Sequence, residues 1–142
     1  MGHQGTQIIS IPFQKSDAAA EASTFTNIPP AGLPDTTDVA EVVMPSAGFV
    51  VGIGVQANPS SGDTVIVEMS KNTVGNAAIT ATATNAAPAA HANVAEGAGV
   101  AFNAGDTLGI LYKTTTGGTY TASDLYGVLY VAIVLDSNMV HV

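Results

Sequence analysis

Few side chains in this sequence could carry out catalysis. The sequence contains no Cys, and its three His residues, His3, His91 and His141, lie far apart along the chain. A nucleophile needs a base within hydrogen-bonding distance, and neither a nucleophile-elbow motif nor a paired-His motif is present in the sequence. The sequence therefore predicts a protein that is not an enzyme and that needs no cofactor.

The acidic residues offer a different chemistry, the binding of Ca²⁺. Asp35, Asp38 and Glu41 are close in sequence, and Asp63 and Asp106 fall in predicted turns, where backbone carbonyl oxygens could complete a calcium site. An Asp in a turn more often accepts hydrogen bonds from its own backbone. We favour this second interpretation, and no metal site is predicted.

The charge balance restricts the class of partner. The chain has 3 basic and 11 acidic residues, a net charge of −8, and only 10% charged residues. Nucleic-acid binding of ordinary strength needs about 6–10 cationic contacts to phosphate, which three lysines cannot provide. An anionic membrane surface is disfavoured for the same reason. We therefore expect a neutral, basic or apolar partner, and a surface so poor in charge suits a protein that is packed into an assembly.

Residues 1–37 are predicted to form an extended N-terminal arm. Their apolar stretch is short, and the segment around Pro29, Pro30 and Pro34 cannot be a helix or a central strand. Apolar side chains on such an arm need a surface to lie on. Deleting the arm is expected to leave a folded, still assembled domain that no longer stays on that surface. The residues predicted to contact a neighbouring subunit or another partner surface are Ile8, Ile9, Ile11, Pro12, Phe13, Ile28 and Leu33.

Residues 38–142 are predicted to form an all-β domain, an antiparallel two-sheet sandwich or jelly roll. Residues 48–55 place large apolar side chains on one face of a strand and mostly glycine on the other. Residues 85–90 are rich in Ala and are predicted to be a loop, with His91 beside it. Residues 125–136 are apolar on both faces, which indicates a strand that is covered on both sides. One face of this strand can enter the core, and the other face is then covered by a second sheet, by the arm or by a neighbouring subunit.

The closing strands resemble those of C1q/TNF-like jelly rolls. The resemblance is carried by the turn Asn103-Ala104-Gly105-Asp106 leading into an alternating strand, and by the terminal segment at residues 123–130; residues 44–51 are similar to the first strand of phage and spore-surface members. It covers residues 39–136 and implies a homotrimer with the last strand near the threefold axis. The trimer contacts that it implies are Leu125, Tyr126, Val128, Tyr130 and Ala132.

An acidic jelly roll with an N-terminal arm is similar to the capsid decoration, or cement, proteins of bacteriophages. This resemblance implies a trimer on the outer capsid surface of the virion, made in the host cytoplasm, with the major capsid protein and neighbouring decoration subunits as partners. The alternative is a receptor- or glycan-binding tip domain of a phage fibre or spore-surface protein, with its pocket near residues 114–120. A third possibility is a monomeric β-sandwich of another purpose, which the mass in solution would reveal.

Overall fold

The computed structural model describes residues 5–15, 24–32, 41–59, 62–114 and 125–135 of the chain. Within them the protein is all-β, and no helix is long and apolar enough to cross a membrane. A 3₁₀ turn occupies Glu96–Ala98. The strands are β1 (Gly5–Lys15), β2 (Thr26–Ile28), β3 (Val42–Val43), β4 (Gly48–Gln56), β5 (Thr64–Lys71), β6 (Val74–Thr84), β7 (Ala89–Asn93), β8 (Val100–Phe102), β9 (Thr107–Thr114) and β10 (Leu125–Leu135).

The strands form two antiparallel sheets. Sheet A has the order β1-β10-β4-β7, and β8 pairs with the part of β4 that lies beyond β7. Sheet B has the order β2-β9-β5-β6, and β3 pairs with β9 beyond the end of β2. The predicted fold class is therefore confirmed as an antiparallel β-sandwich.

The two sheets bury one continuous apolar core between them. Ile53 of β4 and Leu129 of β10 join Val67 of β5 and Ile110 of β9 in a single cluster, and all four are fully buried. Each such side chain contributes about 1.5–3 kcal/mol when it leaves water. The sheets approach so closely that a Cβ on Gly127 would lie 2.8 Å from the Cδ1 atom of Ile110.

The N-terminal segment is part of the sandwich, which corrects the predicted arm for residues 5–15 and 26–28. All 11 residues of β1 pair with β10, from Gly5 opposite Leu135 to Lys15 opposite Leu125. The alternation of β1 directs Phe13 into the core, where it is fully buried. The predicted boundary at residues 37 and 38 therefore does not separate an arm from a domain.

Each predicted arm contact has its own outcome. Phe13 and Ile28 are both 0% exposed, so they cannot contact a neighbour. Ile9 and Ile11 are half-buried and pack against the core, whereas Ile8 and Pro12 are exposed on the opposite face of β1. The last predicted contact, Leu33, lies outside the described residues.

The predicted Ala-rich loop is corrected at its end, where the chain forms β7. Residues Ala89 to Asn93 pair with β4 and cover the edge of sheet A. Ala and Asn have low strand propensity, so this strand is held by its backbone pairing and by the half-buried Ala90 and Ala92, which pack against the core. His91 consequently lies on a strand.

Candidate functional site

The outer face of sheet A, which points away from the core, brings together side chains from four strands. The strand registers place Pro12 of β1 opposite Val128 of β10, Val128 opposite Gly54 of β4, and Gly54 opposite His91 of β7. The neighbouring row contains Ser10, Tyr130, Gly52 and Asn93. The outer face, as we use the term, consists of Ile8, Ser10, Pro12, Gly52, Gly54, Gln56, Ala89, His91, Asn93, Tyr126, Val128 and Tyr130.

Two glycines of β4 form the floor of this face. A Cβ on Gly54 would lie 2.8 Å from Cγ1 of Val128, and a Cβ on Gly52 would lie 3.1 Å from Cδ2 of Tyr130 and would also clash with Oδ1 of Asn93. The Tyr130 ring spans the distance between the glycines, since its hydroxyl is 3.7 Å from the position of a Gly54 Cβ. The glycines therefore let the Tyr130 ring lie flat on the backbone of β4.

Two shallow depressions follow from this arrangement. One, of about 370 Å³, is lined by residues that include Pro12, Tyr126 and Val128. The other, of about 450 Å³, is lined by residues that include Ile8 and Val51. His91 and Tyr130 line both depressions, so they lie between them. The outer face is therefore grooved, a shape that suits contact with a complementary protein surface.

The outer face contains no Asp, Glu, Lys or Arg and exposes apolar and aromatic side chains, although the chain as a whole is strongly acidic. Ile8 is 56% exposed and Tyr126 is 48% exposed, while Val128 and Tyr130 are half-buried. None of the outer-face residues defined above is Asp, Glu, Lys or Arg. An exposed apolar patch of this kind marks an interaction surface. Copies of a chain with a net charge of −8 meet with least repulsion where they present no charge.

The structure divides the predicted trimer contacts between two faces of β10. Tyr126, Val128 and Tyr130 lie together on the outer face. Leu125 and Ala132 are 0% exposed, and Leu125 belongs to the core cluster, so neither offers a contact surface and their prediction as contacts is corrected. The alternation of β10 sends Leu125 inward together with Leu129 and Val131. Ala132 lies on the same side of β10 as Tyr130 but is fully buried.

Comparison with known proteins finds a likeness among solved structures but no family. No protein-family model matches the sequence, and no curated protein matches it. Among solved structures, the chain is similar to a chain from the acidic stable capsid of Helicobacter pylori bacteriophage KHP30, with 14% identity and a TM-score of 0.48 over 96% of this chain and 98% of that chain. Likeness at this level identifies no family, so function has to be argued from the surface of the chain itself.

A polar cluster at one end of sheet B accounts for Glu41, one of the acidic residues considered for Ca²⁺. Its carboxylate accepts hydrogen bonds from the Ser70 hydroxyl, from the Thr107 hydroxyl at 2.6 Å and from the Thr73 backbone N–H at 2.9 Å. Gly109 makes room for the cluster, because a Cβ there would lie 2.8 Å from Cγ of Glu41. The described residues contain no group of three or more His, Asp or Glu that could hold a metal ion, and Asp35 and Asp38 lie outside them.

Asp106 performs the turn-capping role that the sequence predicts for it. Its carboxylate accepts hydrogen bonds from the Asn103 backbone N–H at 2.8 Å and from Nδ2 of Asn72 at 3.1 Å. These bonds, first the one from Asn103 and then the one from Asn72, favour the charged form and lower the pKa of Asp106. Asp63 is 4% exposed, and its Oδ2 atom has no hydrogen-bond partner among the described residues.

The sequence pattern gave no indication of the part of the outer face that β7 contributes. The glycines at positions 52 and 54 correctly indicated a strand with a bare face, but the groups that approach it are the side chains of Val128 and Tyr130. His91 and Asn93 gave no recognisable signal because they follow an Ala-rich segment. His91 forms no hydrogen bond to a carboxylate within the described part of the chain. The predicted glycan pocket near residues 114–120 falls, apart from Thr114, outside that part.

Proposed function

We propose that this chain is a structural protein of a bacteriophage virion, a decoration protein that binds the outer capsid surface as a trimer and stabilises the shell. The observation that carries the proposal is the outer face of sheet A. Tyr126, Val128 and Tyr130 lie on that face, and no described strand lies over them, because β1 lies beside β10 in the sheet. A second polypeptide that packs on the outer face would bury these side chains.

The order of the strands supports a jelly roll. Consecutive strands alternate between the sheets from β3 to β5, and again from β8 to β10, so that β10 lies between β1 and β4, and β9 between β2 and β5. Jelly rolls are built as two antiparallel sheets whose connections cross between them in this way. In the C1q/TNF-like proteins that the closing strands resemble, the last strand lies near the threefold axis. A position near a threefold axis would bring the outer-face side chains of β10 against the neighbouring subunits.

The charge distribution supports assembly through the outer face. The acidic residues that the structure describes, including Glu41, Glu68 and Asp106, lie outside it, and the face itself carries no formal charge from Asp, Glu, Lys or Arg. A trimer formed there would bury apolar groups and leave the acidic surface in water. Contacts that bury more than about 1,000 Å² in total become specific and persistent. Three copies would then bind a shell with the combined strength of three modest contacts.

The first test is the mass of the protein in solution. The unmodified chain is expected to scatter light as a species of three times the chain mass of 14.2 kDa. Tyr126→Glu and Val128→Glu each place a carboxylate in the outer face and are expected to abolish the three-chain species while the chain stays folded, because burying an unpaired charge is costly. Thr82→Glu, at an exposed position of sheet B, is the matched control and should remain trimeric.

The second test is binding to the shell. The protein is expected to co-sediment with capsids of the virus that encodes it, and to raise the temperature at which those capsids come apart. The Tyr126→Glu variant should bind more weakly because it loses the cooperation of three linked sites. An unmodified chain that remains monomeric at high concentration would refute the trimer. A trimer that does not bind the capsids would refute the decoration role.

A further inference from the structure

The edge of sheet A formed by β1 has backbone groups that face away from the sheet. On the side opposite β10, the Gln14 N–H donates to the Pro29 carbonyl at 3.0 Å, and the Ala31 N–H donates to the Pro12 carbonyl at 3.0 Å. Successive residues of a strand direct their backbone groups to opposite sides. The even-numbered residues of β1 therefore face this edge, and residues 29–31 cover it only as far as Pro12.

The remaining part of the edge, residues 5–11, is called the open stretch because no described residue pairs with it. The N–H and C=O groups of Thr6, Ile8 and Ser10 point outward there and have no hydrogen-bond partner among the described residues. The position of Pro12 agrees with this assignment, because proline within a sheet belongs where its missing N–H would face away from a partner strand. The open stretch is thus a row of donors and acceptors ready for another strand.

This edge lacks the devices that protect the other edges of the sandwich. Natural sheets protect edge strands by making them short, by bulges or by charged side chains. β2, β3, β7 and β8 are short, with 3, 2, 5 and 3 residues, and the register of β6 with β5 is interrupted at Glu68 and Met69. In contrast, β1 has 11 residues, pairs with β10 without a register shift, and carries no charged residue before Lys15.

We propose that the open edge of β1 pairs with β1 of a second copy of this chain, antiparallel and about a twofold axis at Ile8. Residue 8 is the midpoint of the open stretch, so this register opposes Ile8 to itself and Thr6 to Ser10, and it uses every outward backbone group of residues 5–11. A twofold contact uses the same patch on both chains. The stretch is uncharged, so two acidic chains meet there without direct repulsion.

This pairing goes beyond the proposed function, since it would join one decoration trimer to the next, but it does not depend on the trimer. It uses the backbone edge of β1, whereas the trimer contact uses the side chains of Tyr126, Val128 and Tyr130. The pairing continues sheet A from one chain into the next, and the exposed Ile8 side chains of the two copies become neighbours on one face.

Opposite charges at position 8 test the twofold register. Ile8→Lys and Ile8→Glu each place like charges across the axis, and each is expected to weaken self-association about fivefold to tenfold relative to the parent chain. An equimolar mixture of the two variants should recover the association, because pairs that place Lys opposite Glu can then form and are favoured over the like-charged pairs. Equal association of parent and single variants, or no gain on mixing, overturns the proposal.

A proline substitution tests the backbone contribution. Ser10→Pro removes an outward N–H while leaving the bonds to β10 in place, as Pro12 already does, and it is expected to abolish the pairing; Ser10→Ala is the control that keeps the N–H. Sedimentation velocity over a range of concentrations gives the readout, with circular dichroism to verify the fold. Unchanged association of a folded Ser10→Pro variant refutes the pairing.

The two contacts give species of different mass in these measurements. Pairing through β1 without a trimer gives a species of two chains, and pairing of trimers gives multiples of three. If the trimer forms but β1 does not pair, the mass stays at three chains at every concentration. Repeating the measurement on the Tyr126→Glu variant isolates the pairing, which should then appear as a two-chain species.

Discussion

Replacing Phe13 by Ala tests whether the N-terminal segment is a strand of the sandwich. Phe13 is fully buried and belongs to the core cluster, although it lies near the N-terminus on an edge strand. A Phe→Ala change at a buried site removes apolar contacts and leaves a cavity, at a cost of about 3–5 kcal/mol. A domain of this size has a total stability of about 5–15 kcal/mol. The variant should therefore lose a large fraction of its stability.

The assay is equilibrium unfolding in urea at one fixed protein concentration, because self-association would otherwise change the apparent stability. The matched control is Ile8→Ala on the same strand, where the side chain is 56% exposed. Its expected loss is less than about 1 kcal/mol. If Phe13→Ala unfolds at the same urea concentration as the Ile8→Ala control, the assignment of residues 5–15 to the core sheet is refuted.

The remaining predictions concern the polar cluster and the N-terminal segment. Glu41→Gln places an NH₂ group among hydrogen-bond donors and should cost about 1–3 kcal/mol by urea unfolding, whereas Glu68→Gln, whose carboxylate has no hydrogen bond among the described residues, should cost much less. The lowered pKa of Asp106 stabilises the fold above the pKa of the unfolded chain, about pH 4, and this stabilisation is lost as the pH falls through the folded value. The stability difference between the parent and Asp106→Asn should therefore shrink below about pH 4 in acid titrations followed by circular dichroism; a constant difference would contradict the assigned cause. Deletion of residues 1–15 should yield an unstable chain by the same spectroscopy, because it uncovers β10 and removes Phe13, and a stable truncated domain would show that β1 is dispensable.

The sequence predicted the elements whose pattern is strictly local. β4, β5, β9 and β10 were recognisable because their apolar residues alternate or run continuously, and because Gly, Asn and Asp separate them. Other strands could not be recognised in this way, among them β1 and β7. β7 consists of residues with low strand propensity, and β1 was separated from the domain by a Pro-rich segment that resembles a linker. Both are held by pairing with strands distant in sequence, which no local pattern reports.

The candidate site likewise combines features that the sequence predicts with features that depend on strand pairing. The sequence by itself determined that the last strand is apolar on both sides, that β4 has a bare face, and that the chain is acidic with few charges, since composition and alternation need no neighbours. Only the tertiary structure decided which side of β10 faces the core, that β1 lies beside it and not over it, and that His91 and Asn93 complete the outer face. Those facts depend on strand order and register, which are set by packing between residues far apart in the chain.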